Sequence, residues 1–275
     1  RFLSYLPSNA NVAPPVATGG APTLPADSLL DVVPADQRKA YDMRKVIDAI
    51  FDGGSRFELK PTFARNIVTC FARLDGRAVA VIANQPMNRA GMLDARAVEK
   101  AARFVGLADA FGLPLVTLID VPGFAIGSVA EASGLARRSG RLFFEMAHAT
   151  VPRISVALRK GYGSGYIAMG GGRSFDCDFA FAWPTAEICA MSVEGAIDVA
   201  FRRDVEAAAD PAARRAELIA ETRSRIGAAH AAEGFGIDDV IDPTETRAKL
   251  IQAFAMLPPR RPNPGPPKRR GISPI

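Results

Sequence analysis

The 275-residue sequence has few of the side chains that usually carry metal or nucleophilic chemistry. Its three cysteines, Cys70, Cys177 and Cys189, form no C-x-x-C pair, so neither a disulfide framework nor a zinc site is expected, and a reducing compartment fits. Its two histidines, His148 and His230, lie in segments with helical patterns, where an ordinary helix residue and a solvated position are the simpler interpretations. We therefore predict no metal site.

Long apolar runs are also missing. No segment approaches the roughly 20 consecutive apolar residues that a helix needs to span a bilayer, so no membrane contact is expected. No signal or transit peptide is visible, which favours a cytoplasmic location, or the mitochondrial matrix if the source is eukaryotic. The net charge is +5, but basic residues cluster in the tail RRPNPGPPKRRGISPI without interleaved aromatic residues, so no nucleic-acid partner is expected.

What the sequence does contain is the composition of a globular protein. Hydrophobic residues make up 48% and charged residues 23%, which suits a chain that buries a substantial core. Residues 1–36 are rich in Pro, Ala and Gly and predict an extended linker or surface strap. We predict one α/β domain over residues 37–257 and a basic, proline-rich tail over residues 258–275. The chain begins with Arg1 rather than Met, which suggests a trimmed product or part of a longer polypeptide.

Strand and helix patterns alternate along the predicted domain. Apolar residues at helical spacing in YDMRKVIDAIFDGG predict a helix that stops before Gly53, and Asp75 and Gly76 between two β-rich runs predict a hairpin. Asp94 is placed to cap a long helix, and a further helix is predicted over about residues 131–149. LPLVTLID and RISVAL are short apolar runs, typical of strands buried on both faces. This order predicts a mainly parallel sheet with helices packed on it.

Both apolar strands end in a glycine-containing break, VPGFAIG after Asp120 and RKGYGSGYIAMGGG after Leu158. Ligands of open α/β sheets bind beyond the carboxyl ends of the strands, so both breaks are candidate site segments. The second break holds six glycines in fourteen residues and contains no His, Asp, Glu or Cys. A helix is predicted to begin at about Tyr166, so this glycine-rich turn leads into a helix N-terminus.

The glycine-rich turn partly matches three side-chain motifs, and each match fails at a neighbouring residue. GSGYIA fits the dinucleotide pattern G-x-G-x-x-A, but four residues separate it from the preceding strand. Ser164 lacks the glycines two residues away on either side that a nucleophile elbow needs, and no G-K-[ST] forms a P-loop. Backbone N–H groups remain. They could bind phosphate, stabilise an oxyanion, or belong to a turn that packs tightly and binds nothing.

Several long motifs occur together in a fixed order. DVPGFAIG (120–127), ATVPRISVALRKGYGSGY (149–166) and AWPTAEICAM (182–191) follow SYLPSN, YDMRKVID and ARLDGRAVAVIANQP. From about Ser4 to the C-terminus, the chain resembles the C-terminal carboxyltransferase domain of the β subunits of biotin-dependent acyl-CoA carboxylases, of the propionyl-CoA and acetyl-CoA type. The resemblance implies an α/β fold, the ClpP/crotonase-like ββα spiral.

The resemblance also implies a reaction and partners. The family transfers CO2 from N1-carboxybiotin, held on a carrier protein, to the α-carbon of an acyl-CoA, and the biotin ureido enolate can itself take the acyl α-proton. A protein base is then not required, which accounts for a turn without acidic or basic catalysts. The implied partners are an N-terminal carboxyltransferase domain and a biotin carboxylase or biotin carrier subunit, in a homo- or hetero-oligomer of the hexamer type. Two alternatives remain open: an acyl-CoA decarboxylase using the same site, and a non-catalytic assembly domain that docks a biotin carrier.

Site residues follow when the family pattern R-K-A-Y-G-G-A-Y is matched to this turn. Its last Gly-Ala pair falls on Ser164 and Gly165, whose backbone N–H groups would form the catalytic oxyanion hole for the biotin ureido oxygen. The resemblance places further residues beside biotin, namely Gly123, Phe124, Tyr162 and Gly163, and others beside the acyl-CoA, namely Asn84, Gln85, Pro86 and Ile167. At position 167, a bulky apolar side chain would favour a short acyl group.

Three neighbouring residues have open roles. Arg159 and Lys160 could meet CoA phosphates or the carboxylate of carboxybiotin, or they could form a structural ion pair. Ser192 replaces a glycine of the family pattern, and the replacement could distort the turn there.

Overall fold

A mixed β-sheet lies at the centre of the molecule, whose computed structural model describes residues 1–9 and 12–259. Within those residues the sheet has eight strands, which are β1 (Phe57–Glu58), β2 (Ile67–Leu74), β3 (Arg77–Asn84), β4 (Leu115–Val121), β5 (Arg153–Tyr162), β6 (Phe179–Ala182), β7 (Glu187–Cys189) and β8 (Asp239–Val240). The spatial order is β1-β2-β3-β4-β5-β6-β8, and β7 pairs with the end of β5. Strands β1, β2 and β3 are antiparallel, whereas the pairs from β3 to β8 are parallel, as the sequence predicts.

Helices cover both faces of this sheet. In the described part of the chain they are α1 (Ser28–Val32), α2 (Met43–Ile50), α3 (Ala95–Ala110), α4 (Ser128–Ala132), α5 (Leu135–His148), α6 (Gly163–Ala168), α7 (Val193–Ala200), α8 (Arg202–Ala207), α9 (Pro211–Arg223), α10 (Ala228–Glu233) and α11 (Thr246–Met256). None of these helices is long and apolar enough to cross a bilayer.

Strand β4 shows why the sequences of the central strands are continuous apolar runs. Its side chains alternate between two cores: Leu115 and Ile119 pack with α3 and α5, whereas Val116 and Leu118 pack with α1, α2 and α11. Successive side chains of a strand point to opposite faces, so a strand between two layers of helices needs apolar residues at every position. The predicted parallel strands are therefore confirmed, and their continuous apolar sequence is explained by the core on each face of the sheet.

The predicted hairpin is also confirmed. Leu74 pairs with Arg77, and both turn residues, Asp75 and Gly76, have positive φ values of 51° and 78°. Two-residue turns of this kind match the right-handed twist of the strands they join. The Asp52 carboxylate fixes the turn by accepting hydrogen bonds from the N–H groups of residues 75 and 76 at 3.0 and 2.8 Å.

The described residues of the predicted linker or strap, 1–9 and 12–36, lie against the domain and add to its core. Tyr5 and Leu29 are each 2% exposed, and Val16 forms an antiparallel bridge with Arg77. This segment also contains α1, a helix that the prediction of an extended strap omits. The predicted tail over residues 258–275 lies, apart from residues 258 and 259, outside the described residues.

Two helix boundaries differ from the prediction. The helix expected over residues 131–149 is two helices, α4 and α5, because Gly134 takes a left-handed conformation (φ 68°) between them. The helix expected from Tyr166 begins at Gly163. Strand β5 runs to Tyr162, beyond the predicted end at Leu158, because its last residues pair with β7 and with Val121 of β4.

Candidate functional site

Two loops that follow neighbouring parallel strands form the candidate site. Strands β4 and β5 lie side by side with Val121 paired to Gly161, so the chain leaves both strands at the same edge of the sheet. Strand β4 leads into the PGFAIG loop (122–127), and β5 leads into the first turn of α6. The prediction that the two breaks meet at one edge is therefore confirmed.

The two loops touch through glycines. An ideal Cβ built on Gly165 would stand 2.9 Å from Cα of Gly123 and 3.2 Å from Cγ2 of Val121. Gly163 has a φ of 57°, and a Cβ there would stand 2.8 Å from the carbonyl oxygen of Ala190. In this chain, glycine at both positions lets the backbones approach more closely than a side chain would allow.

The first turn of α6 offers backbone donors. Gly163, Ser164 and Gly165 are its first three residues, and the N–H groups of a helix's first turn have no acceptor one turn earlier in the same helix. The capping residue, Tyr162, makes no side-chain hydrogen bond to them. The Ser164 residue is exposed and Gly165 is buried. The serine side chain thus leaves room beside the turn, and two neighbouring amides lie at a helix start, as an oxyanion hole needs.

The PGFAIG loop is fixed from its other side by Leu93. The Leu93 N–H donates to the carbonyl of Gly123 at 3.0 Å, and the Ala125 N–H donates to the Leu93 carbonyl at 2.8 Å. The Phe124 ring stacks on Phe143 of α5, with 6.2 Å between ring centroids. Gly123 itself has a φ of 127° and open space where a Cβ would stand. The predicted wall residues are therefore held in a defined loop next to α6.

The Tyr166 ring packs against three further glycines of the turn. A Cβ on Gly161 would stand 2.9 Å from a carbon of the Tyr166 ring, and a Cβ on Gly171 would overlap that ring. A Cβ on Gly172 would stand 3.2 Å from the tyrosine hydroxyl. These glycines form a cradle for an aromatic ring under α6. This packing role of Tyr166 was not predicted from the sequence, although glycines on both sides of one aromatic residue are a signal for it.

The side chains of the ANQP segment have internal partners. Asn84 is 0% exposed; its Nδ2 donates to the Gly91 carbonyl at 3.0 Å, and its Oδ1 accepts from the Asp120 N–H at 3.3 Å. Gln85 is equally buried, and its Nε2 donates to Asp42 at 2.6 Å. Pro86 is also buried. These groups fix the loops around the strand ends, and their predicted contact with acyl-CoA stays a prediction.

Tyr162 and Ile167 have opposite surroundings. Tyr162 is 5% exposed, and its hydroxyl donates to Oε2 of Glu187 at 2.5 Å. Burial, followed by the Glu187 hydrogen bond, raises the pKa of Tyr162 well above its ordinary value, so the phenol stays neutral. Ile167 is 44% exposed on the outer side of α6. Their predicted contacts with biotin and with the acyl group stay predictions.

Arg159 and Lys160 form a buried ion pair with Asp120. Arg159 Nε lies 2.9 Å from Oδ2 of Asp120, and Lys160 Nζ lies 3.3 Å from Oδ1. Arg159 and Asp120 are both 0% exposed, and Lys160 is 9% exposed. Of the two open roles, the structure supports the ion pair, because side chains this enclosed do not reach a ligand at the surface.

Ser192, whose role the sequence left open, has a structural role. Ser192, which stands where the family pattern has glycine, caps α7 by accepting a hydrogen bond from the Gly195 N–H at 3.2 Å. Within residues 1–9 and 12–259, His, Cys, Asp and Glu side chains form no group of three or more that could hold a metal ion.

Known proteins resemble this chain over nearly its whole length. The sequence matches the carboxyl transferase domain over residues 1–272. It is 43% identical over 262 residues to the methylmalonyl-CoA carboxyltransferase 12S subunit of Propionibacterium freudenreichii subsp. shermanii, covering 95% of this chain and 50% of that subunit. It is 41% identical over 272 residues to the methylmalonyl-CoA decarboxylase subunit alpha of Veillonella parvula, covering 98% of this chain and 52% of that subunit.

A solved structure shares the fold. The crystal structure of the transcarboxylase 12S hexamer assembly, with methylmalonyl-coenzyme A and methylmalonic acid bound, matches with a TM-score of 0.92 at 42% identity. That match covers 100% of this chain and 52% of the other, so the chain spans about half the length of the relatives it matches. The crotonase-like α/β fold expected from the sequence is thereby confirmed. With a domain match over nearly the whole sequence and relatives above 40% identity, the chain belongs to the carboxyl transferase domain family.

Proposed function

We propose that this chain is one half of a biotin-dependent acyl-CoA carboxyltransferase. The proposed reaction moves a carboxyl group from N1-carboxybiotin to the α-carbon of a short acyl-CoA. Carboxybiotin, delivered by a carrier protein, is a substrate of this half and supplies the carboxyl group. The chain's own contribution is the N–H groups of Ser164 and Gly165, which stabilise negative charge on the ureido oxygen.

The observation that carries this proposal is the contact between Gly165 and Gly123. It joins the helix start that presents the amides to the loop that would face the biotin ring, with 2.9 Å between Cα of Gly123 and the Cβ position of Gly165. A flat ring can approach such a surface because no side chain stands between it and the backbone. Amides held in this way need little reorganisation during reaction, which is the condition for strong electrostatic stabilisation.

Differences from the common family pattern do not remove these donors. Ser164 and Gly165 stand where the pattern has Gly and Ala, but a backbone N–H does not depend on its own side chain. Ser164 is exposed at the first turn of α6, and the capping residue Tyr162 makes no side-chain hydrogen bond to that turn, so we infer that the Ser164 amide is available to a ligand. The residues present therefore fit the group that the family binds.

The acyl-CoA, the partner domain and the assembly belong to the same proposal. The chain spans about half of its relatives, so we infer that an amino-terminal carboxyltransferase half holds most of the acyl-CoA. Ile126 in the PGFAIG loop and Val129 in α4 are 91% and 84% exposed, an arrangement that suits contact with another domain. A biotin carboxylase or carrier subunit, an oligomer of the hexamer type and a cytoplasmic location complete the proposal.

The direct test is carboxyl transfer in a reconstituted pair. The chain would be combined with the amino-terminal half of a 12S-type relative, then given a carboxylated biotin carrier and propionyl-CoA or acetyl-CoA. Appearance of labelled carboxyl on the acyl-CoA, dependent on this chain, supports the proposal. A folded and assembled pair that transfers no carboxyl contradicts it, and leaves a non-catalytic role in docking a carrier.

A decarboxylase is the second candidate, because the Veillonella parvula relative covers 98% of this chain at 41% identity. The same oxyanion hole would act with the carboxyl group moving from the acyl-CoA to biotin. Release of CO2 from malonyl-CoA or methylmalonyl-CoA by the same pair, without net carboxylation of propionyl-CoA, favours this second function.

A further inference from the structure

Two buried cations share one carboxylate directly behind the candidate site. Asp120 accepts from Arg159 Nε at 2.9 Å and lies 3.3 Å from Lys160 Nζ. Arg159 and Asp120 are both 0% exposed. One carboxylate offsets only one of the two positive charges, and a buried charge without compensation is costly. The remaining compensation must come from other polar groups.

That compensation comes from residues 34–42, which we call the clasp. Arg159 Nη1 lies within hydrogen-bond distance of the carbonyl oxygens of Pro34, Asp36 and Lys39, at 3.0, 2.9 and 3.0 Å. Lys160 Nζ donates to the carbonyl of Gln37 at 3.2 Å. The backbone carbonyl oxygens of the clasp therefore accept hydrogen bonds from both cations.

The clasp also contacts two other segments at this edge of the sheet. Gln37 Nε2 donates to the Thr185 carbonyl at 3.0 Å, and Gln85 Nε2 donates to the Asp42 carboxylate at 2.6 Å. The Tyr41 ring lies under the Arg159 guanidinium, with 4.8 Å from Cζ to the ring centroid. One short segment thus joins ANQP, the end of β4, the end of β5 and the stretch after β6.

Arg159 stands at the centre of these contacts and just before the catalytic turn. It precedes the start of α6 by four residues, and its partner Asp120 precedes Gly123 by three. The Arg159–Asp120 pair therefore fixes the separation of the two strand ends whose loops meet at Gly165 and Gly123. Loss of the clasp carbonyls would leave a buried cation uncompensated and would allow these ends to shift.

We propose that Arg159 is a positioning residue that uses the clasp to hold the Ser164 and Gly165 amides in their reactive geometry. This inference rests on the proposed carboxyltransferase function. Arg159 touches no substrate, because its side chain is enclosed by protein. Its effect is expected on turnover, since small displacements of reacting groups change rates far more than they change substrate affinity.

The test compares two arginines of the same strand. Arg153, at the other end of β5, is 3% exposed and donates to the carbonyls of Met146 and Phe175, so Arg153→Lys is a matched control for Arg159→Lys. Hydrogen exchange is measured in the purified chain at the amides of residues 167–169, whose N–H groups have acceptors one turn earlier in α6, as Met169 has in the Gly165 carbonyl at 3.1 Å. We expect Arg159→Lys to speed this exchange at least tenfold and Arg153→Lys to leave it unchanged. Equal exchange in the two variants overturns the positioning role, whether or not the chain transfers carboxyl.

Turnover provides the second readout, in the reconstituted pair with a carboxylated biotin carrier. Arg159→Lys should lower kcat at least tenfold and change KM for the carrier less than twofold, whereas Arg153→Lys should change neither. A loss confined to KM, or an equal loss in both variants, contradicts the proposal. If the unmutated pair transfers no carboxyl, the proposed function fails, and the exchange measurement still decides the positioning role.

A milder variant covers the case in which Arg159→Lys does not fold. Gln37→Ala removes the bond to Thr185 that fastens the clasp and leaves Arg159 and Lys160 intact. Oε1 of Gln37 is a buried atom without a hydrogen-bond partner among the described residues, so its loss removes no bond. We expect about threefold faster exchange at residues 167–169. Unchanged exchange in a folded Gln37→Ala variant counts against the clasp.

Discussion

Gly165 and Gly123 are in backbone contact across the ends of two parallel strands, closer than a Cβ on Gly165 would permit. The common family residue at position 165 is alanine. Glycine lacks the methyl group of alanine, so the two loops can lie closer together in this chain. The contact holds the first turn of α6 against the PGFAIG loop. The site therefore depends on backbone geometry, and variants that alter the backbone should matter more than variants that alter side chains.

Replacing Ser164 tests this dependence directly. Ser164→Pro deletes one N–H in the first turn of α6, where proline is tolerated, and should lower kcat of carboxyl transfer by about 100-fold. Ser164→Ala keeps the N–H and should leave kcat within about threefold, because the exposed hydroxyl is not the donor. Steady-state assays on the reconstituted pair measure both. A larger loss in the alanine variant than in the proline variant would assign the chemistry to the hydroxyl.

Gly163 should tolerate no side chain, because its φ is 57° and a Cβ would stand 2.8 Å from the Ala190 carbonyl. Gly163→Ala is expected to lower the free energy of unfolding by about 2 kcal/mol or more. Gly140 is the matched control, since it lies inside α5 with nothing within 4 Å of its Cβ position. Gly140→Ala should raise the free energy of unfolding by about 0.5–1 kcal/mol. Chemical denaturation measures both, and equal effects would contradict the assigned conformations.

Much of the fold could be predicted because its signals are local. Asp94 lies beside the helix it caps and accepts from the Ala97 N–H at 2.9 Å, and the Asp75-Gly76 turn lies between the strands it joins. Parallel strands also place their carboxyl ends at one edge, so the position of both glycine-containing loops at that edge followed from the predicted parallel sheet, whereas their contact required the pairing of β4 with β5. A resemblance to a family then assigned roles to backbone groups that no side-chain motif marks.

Other features of the site depend on contacts between distant parts of the chain. Arg159 binds carbonyls of residues 34–39, over 100 positions away, so the sequence could not decide between an ion pair and a phosphate contact. Backbone carbonyls carry no sequence signature, and the proline-rich composition of residues 1–36 predicts a strap without saying what the strap binds. The break at Gly134 also escaped prediction, since a glycine inside a helical pattern is often tolerated.

The cradle around Tyr166 gives a prediction about packing. A Cβ on Gly171 would overlap the Tyr166 ring, so Gly171→Ala should lower the free energy of unfolding by about 1–3 kcal/mol. In a Tyr166→Ala background the same change should cost at least 1 kcal/mol less, because the ring that it displaces is gone. A double-mutant cycle by chemical denaturation measures this coupling. Additive effects would show that the cost arises from the backbone of residue 171 and not from the ring.

Cys189 should react slowly with thiol reagents although it is only half-buried. It pairs with Tyr162 at the end of β5, and its Sγ lies 2.8 Å from the Met191 carbonyl oxygen. Burial raises the pKa of Cys189 to about 11, with Glu187 and Glu194 adding to the rise. The thiolate is the reactive form, so at pH 8 only about one molecule in a thousand is reactive, against roughly one in four for an ordinary thiol.

The pH profile of alkylation measures this shift. The rate of iodoacetamide modification of the native chain should rise about tenfold per pH unit from pH 8 to 10 and level off only near pH 11, because the thiolate fraction grows until pH reaches the pKa. Cys189→Ser is the control, since the two other cysteines, Cys70 and Cys177, are buried. A plateau near pH 9 would show that the thiol is solvated as in an unfolded chain. Such a plateau would also show that the pairing of β7 with the end of β5, next to the candidate oxyanion hole, opens to solvent.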